Sequence, residues 1–346
     1  MDNEENQAPL TVTDAQQKDF IWTWKSNGRS QKLSLWLPYF SHVEKIPRTK
    51  LWAFDYNGGR VLVNLDQLDF IMFYGATGEL PLNFLDELAT RGIVFLIHKR
   101  NSMHPYVFYP PVLLDQSDVL TRQILVREHD QKKTYVAKVL IKARLDRFSE
   151  NPTSTLFIRD KLSQAKNVDE VRRVEATATA KYWKQWFAKL GLDEGRREDG
   201  AVQAALDAGS KFMFGVILRW VLLHKLSPAH GFLHEPSSYQ SLVYDLMEPY
   251  RYMIENAVAK AWETAGNDKQ KLTAHMLNQL KRDLEEIVYV PATRQNVRRK
   301  NLLHGVVLAL RSYLLGESKR LVIPTEGKKL GGRPPKVSYK LPGEVR

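Results

Sequence analysis

The stretch GFLHEPSSYQSLVYDLMEPYR, residues 231–251, sets one histidine and two spaced acids in an apolar, aromatic run. Gly231 before His234, and Pro236 with two serines after it, place the imidazole at the end of an element. Residues 241–244, SLVY, fit either a short extended run or a first helical turn. Asp245 and Glu248 are three positions apart, so on a helix they share a face. An imidazole nitrogen with carboxylate oxygens makes a borderline-hard donor set, suited to Mg²⁺ or Mn²⁺ with water completing the shell. A structural role fits the same residues: Asp245 as N-cap and Glu248 as the third position of a capping box, with His234 a core histidine.

A third ligand candidate is Glu175 in RRVEATATAKYWKQW. Ala176, Ala178 and Ala180 make a small-residue helix face that other groups can approach closely, and an acid at its edge calls for a partner. A surface ion pair with Arg172 or Lys181 is the plain alternative.

Working outward, the N-terminal third is mainly β. KLWAFDYNGGRVLVNL (50–65) reads as a hairpin about Asn57-Gly58-Gly59. Residues 93–100 and 104–114 are further strand candidates, and 80–92 is a short helix closed by Gly92. From about Leu114 the pattern turns helical: 117–150, 156–166, 168–191, 201–226, about 246–265, 268–288 and 294–316. The expected fold class is α+β, with a small β-sandwich-like N-terminal domain followed by a larger all-α domain. The expected divisions are a disordered leader 1–17, a β-rich domain 18–113, a helical domain 114–316 and a flexible basic tail 317–346. That tail carries eight cations against three carboxylates, and GGRPPK (331–336) faintly resembles minor-groove hooks.

The chain has 346 residues, 43% of them hydrophobic, which is ample for packed cores and points to two domains. A formal charge of +12 favours polyanionic partners, nucleic acid first. No cysteine is present, so disulfides and thiolate chemistry are excluded. The acidic N-terminus is no secretory signal, and the longest apolar run, 211–226, is interrupted by Arg219, so a cytoplasmic protein is expected.

These residues resemble the signature of CRISPR-associated protein one, the spacer-acquisition integrase and endonuclease. The likeness rests on Gly231, Phe232, Leu233, His234, Ser241, Leu242, Asp245, Leu246, Glu248, Tyr250 and Arg251, and upstream on Glu175, Ala178, Ala180, Tyr182 and Trp183. Residues 67–100 resemble the end of that family's β module. At 202–215 the chain departs: Gln203, Asp207, Gly209 and Ser210 stand where the family shows an Asn before Leu-Ser-aromatic-Gly-Tyr, which marks a divergent branch.

The resemblance implies a metal-dependent DNA endonuclease and integrase of CRISPR adaptation. Such an enzyme joins 3′-hydroxyl ends of short DNA fragments into a repeat array by transesterification. Glu175, His234 and Glu248 would hold Mg²⁺ or Mn²⁺, and Asp245 would complete the catalytic residues as an auxiliary carboxylate. Lys211, Arg219, Arg251, Arg294, Arg298, Arg299 and Lys300 would line a phosphate track for double-stranded DNA. The β module implies a homodimer, and a small ferredoxin-fold partner subunit would bridge two dimers; no membrane is involved. Two alternatives stay open: a casposon-type transposon integrase of the same fold, and a non-catalytic basic DNA-binding scaffold.

Overall fold

A computed structural model describes residues 22–25, 33–56, 59–75, 77–99, 104–108, 118–147, 152–193, 200–329 and 337–345. The expected leader, the hairpin apex at 57–58, the junction at 112–117 and the segment 331–336 lie outside the described residues. The chain divides into two compact units, Met1–Asp115 and Gln116–Arg346.

The first unit contains β1 (Trp22–Lys25), β2 (Leu33–Pro38), β3 (Phe40–Lys45), β4 (Leu51–Tyr56), β5 (Gly59–Asn64), β6 (Leu68–Tyr74), α1 (Leu82–Thr90), β7 (Val94–His98) and β8 (Tyr106–Phe108). A mixed five-stranded sheet runs β1-β2-β6-β7-β8, and a three-stranded sheet runs β3-β4-β5. The β4–β5 register pairs Tyr56 with Gly59, so the chain reverses where the Asn-Gly-Gly signal predicts. Strand alternation buries Trp52 and Phe54 of β4 and Val61 and Val63 of β5. They share one core with β2, β6 and α1, where the ring of Phe84 meets Trp52 and Phe54 edge-on at 4.8 and 5.6 Å.

The second unit contains α2 (Val119–Glu128), α3 (Asp130–Leu145), α4 (Pro152–Gln164), α5 (Val168–Lys189), α6 (Ala201–Leu223), α7 (Ser241–Met247), a 3₁₀ turn at Glu248–Tyr250, α8 (Arg251–Ala265), α9 (Lys269–Glu285), β9 (Ile287–Val290), β10 (Gln295–Arg298) and α10 (Asn301–Leu314). The α+β class expected from the sequence is therefore what the structure shows. The central element is α6, buried along most of its length and packed by α7, α8, α9 and α10. Among the described residues no helix is long and apolar enough to cross a membrane.

Three expectations are corrected. The run 117–150 is two helices, broken at His129. Residues 287–298 form an antiparallel hairpin where helix was expected at 287–288 and 294–298, because Ile287-Val288-Tyr289-Val290 buries alternate residues. The basic tail packs wherever it is described. Leu321, Ile323, Tyr339 and Leu341 are buried between its cations, and a Cβ on Gly305 of α10 would lie 2.2 Å from Leu341 Cδ2. Gln295 of β10 donates to the Leu341 carbonyl at 3.0 Å and accepts its N–H at 2.9 Å, and Val297 bridges to Glu344. Four apolar anchors and these pairings hold a segment whose charge alone reads as solvated.

Candidate active site

The site grows from Asp245, fully buried in α7. Its Oδ2 accepts the backbone N–H groups of Phe232 and Leu233 at 2.5 and 2.9 Å. Its Oδ1 accepts the His234 backbone N–H at 3.0 Å and lies 2.7 Å from His234 Nδ1. Asp245 thus caps the loop that carries the histidine, not its own helix. Because the carboxylate accepts, Nδ1 carries the proton and the lone pair of neutral His234 sits on Nε2, as in a histidine prepared to ligate a metal. Gly231 is required here: a Cβ would stand 2.6 Å from the His234 carbonyl oxygen and 2.8 Å from Asp245 Oδ2. Ser241 Oγ accepts from Gly231 N and donates to the Ala229 carbonyl, Arg127 donates to the Gly231 and Glu235 carbonyls, and Arg172 to that of Leu233. The loop is therefore templated from three helices.

Glu248 opens the turn after α7 and is almost wholly buried. Arg251 Nε donates to its Oε1 at 2.9 Å. Arg144, in the last turn of α3, donates from Nη1 to Glu248 Oε2 and, at 2.7 Å, to Glu175 Oε1 on α5. One guanidinium nitrogen thus joins two carboxylates from sequence-distant helices. Burial pushes Glu175 up, and the Glu248 charge adds to this against Arg144, Arg251 and His234; its carboxyl stands above the usual range. Burial acts the same way on Glu248, but Arg144 and Arg251 outweigh it and hold that carboxyl low. For His234, burial disfavours the imidazolium, yet Asp245 and Glu248 raise it above the ordinary value.

A shallow recess adjoins these groups, lined by Arg144, Arg147, Glu248, Arg251, Tyr252 and Glu255. Glu255 accepts from Tyr182 Oη at 2.6 Å.

The structure therefore brings Glu175, Glu248, His234 and Asp245 into one neighbourhood. Among the described residues no three of them already surround a point as metal ligands do, since Arg144 lies between the two glutamates. The donor set still fits a hard or borderline divalent ion. Two carboxylates already converge on a single cationic nitrogen, and an oriented imidazole stands beside them.

The residues expected to line a phosphate track sit in several different surroundings. Arg251 borders the recess, and Lys211 is half-buried on α6, where burial lowers its pKa. Arg219 is 7% exposed, with its guanidinium 4.0 Å from the Trp220 ring. Arg298 and Lys300 pair with Glu285, and Arg299 with Glu286 and Glu326, so this cluster is largely neutralised within the fold. Arg294 holds a left-handed conformation, φ 56°, in the β9–β10 turn.

Sequence reasoning missed Arg144. Its signal is a charge on an apolar stripe: it follows Leu140 by four and Ile141 by three, on the face α3 buries. Arg147, Tyr252 and Glu255 carried no such mark.

A family model, CRISPR associated protein Cas1, matches residues 49–282, more than half of the chain. The chain belongs to the Cas1 family. A CRISPR-associated endonuclease Cas1 of Pyrococcus horikoshii is 22% identical over 315 residues, covering 83% of this chain and 98% of that one. Among solved structures, a casposase bound to integration product superimposes with a TM-score of 0.69 at 19% identity, covering 83% of this chain and 91% of that one. A Cas6-RT-Cas1–Cas2 complex gives 0.66 at 12% identity, over 86% of this chain and 37% of that one. At these identities the two structures establish a shared Cas1 fold. The family match ends before β9, so the hairpin, α10 and the C-terminal segment lie outside it.

Proposed function

We propose that this Cas1-family chain is a metal-dependent DNA endonuclease and integrase of CRISPR adaptation, acting in the cytoplasm and joining 3′-hydroxyl ends of short fragments into a repeat array. The observation that carries the reading is the meeting of Glu175 and Glu248 on Arg144 beside the Asp245-oriented His234. Glu175, His234 and Glu248 are the residues that would hold Mg²⁺ or Mn²⁺. Bound there, the ion would supply charge stabilisation at the phosphorus and a more acidic nucleophile hydroxyl. Asp245 fixes the imidazole and leaves Nε2 outward. Arg144 holds the glutamates together in spite of their repulsion and burial, and Arg251 clamps Glu248 from the other side. Such preorganisation leaves Arg144 as the group that must give way when an ion meets the two carboxylates.

The partners proposed are double-stranded DNA, a second copy of the chain, and a small ferredoxin-fold subunit bridging two dimers. The relative's name as a CRISPR-associated endonuclease and the Cas1–Cas2 complex among structural neighbours support this choice. The casposase likeness favours a second reading, a transposon integrase.

The test is strand transfer of a short duplex into supercoiled plasmid with Mn²⁺ or Mg²⁺. Wild type should yield joined product and His234→Ala none, with DNA binding retained. Equal product from the variant would remove the metal-site assignment, and no product even from wild type would leave only a DNA-binding scaffold. Insertion at repeat borders against insertion beside a transposon target separates the two integrase readings.

A further inference from the structure

Arg147 follows the last turn of α3, three residues after Arg144, and lines the same recess as Glu248 and Arg251. The three arginines of that recess are engaged differently. Arg144 and Arg251 each donate to a carboxylate of the site. Arg147 instead lies over the Tyr252 ring, its guanidinium carbon 4.6 Å from the centroid, and makes one side-chain hydrogen bond, from Nη2 to the Glu326 carbonyl at 3.1 Å. Among the described residues no carboxylate neutralises it.

The support beneath Arg147 comes from the C-terminal segment. Glu326 accepts from Tyr252 Oη at 2.8 Å and from Arg299 Nε at 2.8 Å. Tyr250 Oη donates to the Pro324 carbonyl at 2.8 Å, and Gly327 N to the Tyr289 carbonyl at 3.0 Å. The segment 324–327 is thus tied to α8, to β9 and to Arg299, between β10 and α10. A guanidinium held over a ring keeps a planar fork of N–H donors, the geometry that a phosphate accepts. Held by the ring contact and one tether, it loses little further freedom when an anion arrives.

We propose that Arg147 receives a backbone phosphate of the DNA strand at the mouth of the shallow recess beside Glu248, and that the C-terminal segment, through Glu326, is the element that positions it. The proposal rests on the DNA-processing reading of this site, and its test separates the two. Binding of a short DNA duplex to the full chain is measured over a series of salt concentrations, beside strand-transfer rates and thermal melts.

Arg147→Ala should weaken binding by about tenfold and reduce the log–log salt slope by about one, the signature of one lost phosphate contact. Arg147→Lys should restore the slope. Glu326→Ala keeps the cation but removes the anchors of Tyr252 and Arg299; weaker binding with an unchanged slope is expected. Binding and slope equal to wild type in a folded Arg147→Ala would reduce Arg147 to a pin for the tail and overturn the proposal. Should that variant not fold, wild-type affinity in Glu326→Ala overturns the positioning role. A slope change in Arg147→Ala with no strand transfer even in wild type would sink the integrase reading and leave the phosphate site standing.

Discussion

His234 Nδ1 and Asp245 Oδ1 lie 2.7 Å apart, and the same carboxylate holds the main-chain N–H groups of residues 232–234. Orientation of the imidazole and shape of the loop thus depend on one side chain. Asp245→Asn is expected to lower affinity for Mn²⁺ by about 10–100-fold, as loss of a partner that orients a ligand does. Titration calorimetry of the folded variant checks this. A Kd within twofold of wild type would show that His234 keeps its orientation without the carboxylate.

Arg144 couples two glutamates on different helices. Its removal leaves buried Glu248 with Arg251 alone. Arg144→Ala should cost about 3–5 kcal/mol in metal-free buffer, the usual cost of breaking a buried charge pair. Added Mn²⁺ should raise its melting temperature by more than it raises that of wild type, because a cation replaces a cation. Denaturation with and without the ion reads both effects.

Gly231 has no room for a side chain beside the His234 carbonyl and Asp245. Gly231→Ala should destabilise the helical unit by about 1–3 kcal/mol, as overpacking does. Strand transfer should fall at the same time, since the displaced loop carries His234. Full activity with wild-type stability would mean that the loop adjusts freely.

In the β-rich unit, Glu87 accepts from Lys45 Nζ at 2.5 Å and from Trp52 Nε1 at 3.2 Å. Burial would raise its carboxyl, but Lys45, Trp52 and Arg91 outweigh it and hold the pKa below the ordinary value. A depressed folded pKa contributes stability that is present above the unfolded value, about 4.3, and is lost as pH falls through the folded one. Glu87→Gln should therefore be less stable than wild type at neutral pH, with the gap closing below about pH 4. Urea melts across that range test the sign.

His234, Asp245 and Glu248 were legible as a group because a single loop and a short helix bring them together. The role of Asp245 was not legible. Its partners are main-chain N–H groups, which leave no mark in side-chain identity. The hairpin at 287–298 overlaps the end of one expected helix, 268–288, and the start of the next, 294–316, because four-residue strands carry too little periodicity to compete with the helices on either side. The tail was read as flexible because its cations outnumber its anchors, yet Leu321, Ile323, Tyr339 and Leu341 each find a place.

By itself the sequence determined what depends on near neighbours along the chain: the β-rich beginning, the helical remainder, and the histidine with its two following acids. Alternation and helical spacing are properties of consecutive residues, so they survive in one dimension. Only the tertiary structure decided which charges meet. Arg144 joins Glu175 to Glu248, and Glu326 reaches back to Tyr252, Arg299 and Arg147. Electrostatic partnership falls off with distance through space and with exposure to water, and neither quantity is written in the order of the residues.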